Sequence, residues 1–136
     1  MTGDNFIESL LPLADPDFAA GLQRYGIPNK QAMGLRLPQI RAAAKPYKNN
    51  PRLAQELYRM PIHEARLAAA FIDDPKELSL TQAEIYWQEF DSWDLVDQFC
   101  TSLFVKSHFA HDLPFLWTQA EGEYQRRAGI VMIVAI

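Results

Sequence analysis

Apolar residues along this chain recur at intervals of three and four, the spacing that gathers them on one side of an α-helix; the strict alternation of a half-buried strand is nearly absent. Prolines, glycines and capping residues cut the pattern into short segments. Asp15-Pro16 predicts an N-cap followed by proline in the first turn, with that helix closing at Tyr25-Gly26. Leu37-Pro38 opens another helix through Ala44, Asn50-Pro51 one through Leu53, Leu57 and Met60, and Pro61 one containing Leu67, Ala70, Phe71 and Ile72. Further on, Thr81 caps a helix carrying Ile85, Trp87 and Phe90, and Asp91 or Ser92 caps the next, from Trp93 to about Lys106. Asp112-Leu113-Pro114 begins a short helix through Trp117, and the last helix runs from Glu121. The interval 26–37 is the one long irregular connection.

These elements pair at roughly 30–40 residues per pair, the length of a HEAT-type unit rather than of a globular bundle. The expected fold is all-α, a HEAT-like helical-repeat solenoid forming a single domain over residues 1–136, the N-terminal part of a longer solenoid. The end of the chain supports the last point. From Ala128 to Ile136 the residues are apolar on every side of a helix, a pattern that calls for burial all round. A terminal solenoid helix needs a polar outer face, so either more chain or a partner is expected to cover this end; the plain alternative is a terminal strand or a helix tucked into the core. Without a second chain there, a monomer is expected.

Composition adds limits. A chain of 136 residues that is 49% hydrophobic has ample material for a packed core. The net charge of -4 argues mildly against nucleic-acid binding, which rests largely on neutralising phosphates. The charge is unevenly spread, however: residues 1–60 carry eight Lys and Arg against five acids, and residues 61–136 carry five against twelve. The first half can therefore present a basic face. Cys100 is the only cysteine, which excludes an intramolecular disulfide and a cysteine-based zinc site. The first residues lack the basic start and apolar run of a signal peptide, and no apolar run reaches the roughly 20 residues that span a bilayer. A cytoplasmic protein that does not enter membranes is expected.

The richest stretch for chemistry is Ser92-Trp93-Asp94-Leu95-Val96-Asp97, followed about one repeat later by Gln125-Arg126-Arg127. At about 100° per residue, Leu95, Val96, Phe99 and Leu103 fall on one face and form core; Trp93 and Asp97 lie at the edge of that stripe, within about 40° of each other. Asp94 is placed on the solvent side, as a favourable charge beside the helix N-terminus. Asp97, near apolar neighbours, is the better candidate for a perturbed pKa and a chemical task. The plain alternative makes Trp93 a core aromatic and Asp97 an edge acid paired with an arginine. Arg127 leans towards the apolar side of its helix, so packing should direct its planar guanidinium, whose fork suits phosphate. Arg126 lies about 100° away around the helix. An aromatic face, an acid and a phosphate-seeking cation in one groove would suit a cationic sugar-like centre on DNA.

Competing chemistries are weaker. His63-Glu64 begins like a zinc-protease motif, but Leu67 stands where the second histidine ligand is needed. His108 and His111 lack further ligands, no phosphate-cradling glycine loop follows a strand, and no nucleophile elbow is present. A site with no metal and no cofactor is the remaining option.

Tyr25-Gly26, Gly34-Leu35-Arg36-Leu37-Pro38-Gln39-Ile40-Arg41, His63-Glu64-Ala65-Arg66, Ser92 through Asp97, and Tyr124-Gln125-Arg126-Arg127-Ala128 resemble, in the same order, the AlkD-like DNA alkylation repair family of helical-repeat DNA glycosylases. The Trp-Asp-x-Val-Asp and Arg-Arg-Ala pieces are the specific ones. The resemblance implies a right-handed superhelix whose concave face holds double-stranded alkylated DNA. It implies excision of cationic bases such as 3-methyladenine and 7-methylguanine by hydrolysis of the N-glycosidic bond, without the base flipping usual among glycosylases. By the same resemblance, Asp97 is the catalytic carboxylate, Trp93 lies against the lesion's deoxyribose, and Arg127 grips the neighbouring phosphate. Arg36, Arg41, Tyr124 and Arg126 are DNA contacts. Arg36 stands where some members carry a polar amide, Tyr124 where tryptophan is frequent, and family members run well past 200 residues, so their C-terminal repeats have no counterpart here. A non-catalytic DNA-binding or protein-interaction scaffold is the alternative.

Overall fold

The computed structural model describes residues 1–24 and 32–136, and among them every regular element is helical. The α-helices are α1 (Gly3–Leu10), α2 (Pro16–Arg24), α3 (Leu37–Ala44), α4 (Pro51–Tyr58), α5 (His63–Ile72), α6 (Leu80–Gln88), α7 (Trp93–Ser102), α8 (Leu113–Trp117) and α9 (Glu123–Ala135). Single 3-10 turns follow α1, α3 and α7 and precede α8. The chain divides into two compact units, Met1–Asp73 and Asp74–Ile136. The expected closure of α2 at Tyr25-Gly26 lies outside the described residues.

Helix starts follow local chemistry. The Asp15 carboxylate accepts from the Asp17 and Phe18 N–H groups, and the Asn50 side chain from Leu53 N–H, so each residue before a proline caps its helix. Three starts differ from expectation, the first being α9, which begins at Glu123 and not at Glu121. The Ser79 hydroxyl, two residues before Thr81, accepts from Gln82 N–H and caps α6; α5 begins at His63 because Pro61 and Ile62 stay outside it. Helix α1, capped by Thr2 on Asn5 N–H, was not expected. Helix α7 ends at Ser102, earlier than Lys106, and the chain tightens into a 3-10 turn over Phe104–Lys106.

In the first unit, α5 packs on α3 and α4 around Ile40, Leu53, Leu57, Ala68 and Ile72, none of which touches solvent. Glu64, in the first turn of α5, is also wholly buried. Its carboxylate accepts from three successive backbone groups, Met33 N–H at 2.8 Å, Gly34 N–H at 3.0 Å and Leu35 N–H at 3.3 Å. These bonds satisfy both the buried charge and the donors of an irregular strand of chain. Gly34 is required there: its φ is +89°, and a Cβ would stand 1.9 Å from the Asp15 carbonyl oxygen. The half-motif His63-Glu64 thus has a structural task that its sequence did not suggest.

In the second unit, α9 packs on α7 and α8 over an aromatic core. Phe99 lies within 4.8–5.7 Å of Tyr86, Phe90 and Phe104, and Trp87 stacks nearly parallel on Trp117 at 5.1 Å. Such offset aromatic contacts contribute about 0.5–1.5 kcal/mol each beyond area burial. Gly129 lets α9 approach the end of α8 without an intervening side chain, since a Cβ there would meet Thr118 N at 2.6 Å. Cys100 is buried between α7 and α9, and its thiol donates to the Ala128 carbonyl at 3.6 Å.

The outer side of α9 departs from the expectation of burial all round. Only Ala128, Gly129 and Met132 are buried, whereas Ile130, Ile133 and Val134 are exposed, Val134 to 84%. Helices α7 and α8 cover one face of α9, and the remaining apolar positions have no cover within this unit.

Candidate functional site

The candidate site is built from α7 and α9. Asp97 lies one turn after Trp93 on α7, and Arg127 lies in the second turn of α9. Packing of α9 against α7 brings the Arg127 Nη2 to 3.6 Å from the Asp97 Oδ1, an ion pair longer than a hydrogen bond. Both side chains remain partly open to solvent, 31% for Asp97 and 47% for Arg127.

They stand on the wall of an open groove of about 700 Å³, whose other charged groups are Glu123 and Arg126 and whose apolar wall is Ile130, Val131 and Val134. Partial burial raises the Asp97 pKa above the ordinary carboxylate value; the Arg127 cation opposes this, and the nearby Asp94 charge adds to it. Desolvation outweighs the arginine, so the carboxylate is held in a costlier ionised state than in water.

The sequence reading of α7 is corrected at two positions. Asp94, placed on the solvent side, is buried: it accepts from the Ser92 hydroxyl at 2.6 Å and from Leu95 N–H at 2.9 Å. Ser92 itself is inaccessible and donates to Asp94 instead of capping a backbone amide, so the acid folds inward and takes over that task. Trp93, whose plain reading was a core aromatic, is 44% exposed. It is not part of the groove wall that holds Asp97 and Arg127. The edge position of Asp97 and its arginine partner are as the pattern indicated.

The remaining candidates lie as follows. Arg126 lines the same groove as Arg127, and its Nη1 is 3.4 Å from the Ala120 and Glu121 carbonyl oxygens in the turn before its own helix. Tyr124, in the first turn of α9, is half-buried. Arg36 and Arg41 belong to the first unit and are exposed. The Arg36 guanidinium lies 4.5 Å over the Phe18 ring and 4.0 Å from Asp15, and that of Arg41 lies 5.1 Å over the Phe71 ring. Among the described residues no group of three or more His, Cys, Asp and Glu could hold a metal ion, and no helix is long and apolar enough to cross a membrane.

Two residues near the site were missed by sequence reasoning. The Gln125 side-chain amide donates to the Trp87 and Phe90 carbonyls, both at 3.1 Å, and Trp87 Nε1 donates back to the Gln125 carbonyl at 2.9 Å. These pairings span 35–38 residues, and no local pattern encodes them.

Helix pairs of this length and packing define an all-α, HEAT-like repeat protein. The chain belongs to the family described as DNA alkylation repair enzyme, whose model matches residues 6–136. Its fold matches a solved structure described as a new family of proteins related to the HEAT-like repeat DNA glycosylases with affinity for branched DNA structures, with a TM-score of 0.87 and 22% sequence identity. The match covers 98% of this chain and 56% of that one, so the present chain spans little more than half the length of that relative. No curated protein matches the chain.

Proposed function

We propose that the protein carrying this chain is a DNA repair glycosylase that releases cationic alkylated bases, of the 3-methyladenine and 7-methylguanine type, from duplex DNA. The observation that carries this reading is the Asp97–Arg127 pair at 3.6 Å: a partly desolvated carboxylate beside a solvent-reachable guanidinium on the wall of an open groove. A cationic base is already a good leaving group. When the C1′–N bond breaks, its electron pair neutralises the base and leaves positive charge on the sugar. The Asp97 carboxylate stabilises that charge in a partly dry setting and orients the water that attacks C1′; the water's proton passes to solvent. Arg127 holds an adjacent phosphate through its fork. The exposed ring of Trp93, one turn away, supplies an apolar face for deoxyribose. Because the bond is weakened before binding, the base can leave without being turned out of the helix.

The test is release of methylated bases from alkylated duplex DNA. Asp97→Asn preserves shape and removes charge, so release should fall at least about tenfold, about 1.4 kcal/mol of barrier, with DNA binding largely kept. Unchanged release would move the chemistry away from Asp97, and no release by the parent itself would leave the second reading, a non-catalytic binder. The solved relative's description, affinity for branched DNA structures, favours measuring branched and linear duplexes side by side.

A further inference from the structure

We infer that Gln125 is a positioning residue for the Asp97–Arg127 pair: it clamps the first turn of α9 to the chain that leads into α7, and so sets where the guanidinium meets the carboxylate. The inference rests on the reading of Asp97 and Arg127 as the base-release site.

The clamp is two-sided. From Gln125, the Nε2 donates to the carbonyls of Trp87 and Phe90 and approaches that of Gln88 at 3.4 Å, so one amide bridges three carbonyls where α6 ends, that of Trp87 also accepting from Phe90 N–H. In return, the Trp87 indole donates to the Gln125 main chain, and its ring is fixed by stacking on Trp117. Phe90 lies two residues before Ser92, the N-cap of α7, and Gln125 lies two residues before Arg127. One side chain therefore ties the origin of the segment carrying Trp93 and Asp97 to the origin of the segment carrying Arg127. The ion pair itself is too long and too wet to hold that register, since exposed pairs contribute about 0–1 kcal/mol.

Gly122 supplies an independent handle. A Cβ at this N-cap position would fall 2.0 Å from the Gln125 Oε1, while its φ of -67° and ψ of 139° suit any residue. Alanine there keeps the backbone and displaces only the flexible amide.

The experiment follows the Asp97 side-chain carboxyl by carbon NMR titration in the folded protein, comparing Gln125→Met and Gly122→Ala with the parent. Neither variant changes a charge, and circular dichroism checks that each stays helical. Arg127→Ala gives the full effect of losing the partner. We expect both clamp variants to move the Asp97 midpoint upward, towards that of Arg127→Ala. Single-turnover base release should fall about tenfold, as expected for a misplaced group, with DNA affinity falling no further than in Arg127→Ala. A packing role alone would leave the titration where it is. An unmoved midpoint in Gly122→Ala, the variant that keeps every named residue and displaces only the Gln125 amide, overturns the inference. The outcome is separable from that of the glycosylase reading: unchanged release in Asp97→Asn removes the chemistry but leaves the midpoint shift as evidence for the clamp.

Discussion

Each unit holds a notable acid, and the two are treated in opposite ways. Glu64 is wholly buried and receives three backbone N–H bonds, whereas Asp97 is partly open and, among the described residues, faces the Arg127 guanidinium at 3.6 Å. The first carboxylate is saturated with donors, so its charge is spent on holding the chain around Gly34. The second keeps unused acceptor capacity, and its surroundings make ionisation harder. Burial alone does not mark a reactive group; incomplete compensation beside an open groove does.

The largest effect is expected from breaking the saturated acid. Glu64→Ala strands three backbone donors, two of them buried, and should destabilise the fold by about 3 kcal/mol in denaturant unfolding. Glu64→Gln should cost less, because its amide oxygen still accepts. If Glu64→Ala unfolds at the parent's denaturant midpoint, the contrast with Asp97 disappears.

Asp97→Asn should behave in the opposite sense. The folded-state pKa is raised, so the stability attached to this group is present in full below the unfolded value of 3.8 and is lost as pH rises through the folded value. Relative to the parent, the asparagine variant should therefore gain stability as pH rises from the unfolded value of 3.8 through the raised folded value. A simple structural ion pair predicts the reverse, a variant that loses ground as pH rises. For the same reason the acid limb of base release should lie above the range of an ordinary aspartate and vanish in the variant.

Smaller still is the difference between the two arginines. Arg127→Ala should weaken binding to many duplex sequences about equally and reduce the salt slope by about one unit. Arg126→Ala should do less, since that guanidinium already faces the carbonyls of Ala120 and Glu121. Equal slopes for both variants would reduce the pair to a solvated charged face.

Much of the fold was legible because helix starts are local events. Asp15-Pro16, Leu37-Pro38, Asn50-Pro51 and Leu113-Pro114 each open a helix where the proline pattern put it. Helix α1 lacks an internal proline signal and went unread, and Ser79 outcompeted Thr81 for the start of α6. At the site, periodicity placed Asp97 at the edge of the core and Arg127 within reach. It inverted Asp94, because a hydrogen bond to Ser92 can draw a first-turn acid inward against its angular position. The Gln125 clamp joins carbonyls from a distant turn, information that no window of sequence contains. Burial all round α9 was inferred from composition, yet exposure depends on which neighbours are there to cover each face.

The lone thiol has a consequence for survival under chemical attack. A cysteine is ordinarily the softest nucleophile in a protein, and the electrophiles that methylate DNA react with thiolates. Burial beneath α9, with the Asp97 charge nearby, pushes the Cys100 pKa far upward. At neutral pH the sulfur stays protonated, bonded to the Ala128 carbonyl and out of reach of solvent. This chain of an alkylation repair family thus carries its one thiol in a form that the damaging reagents cannot readily consume.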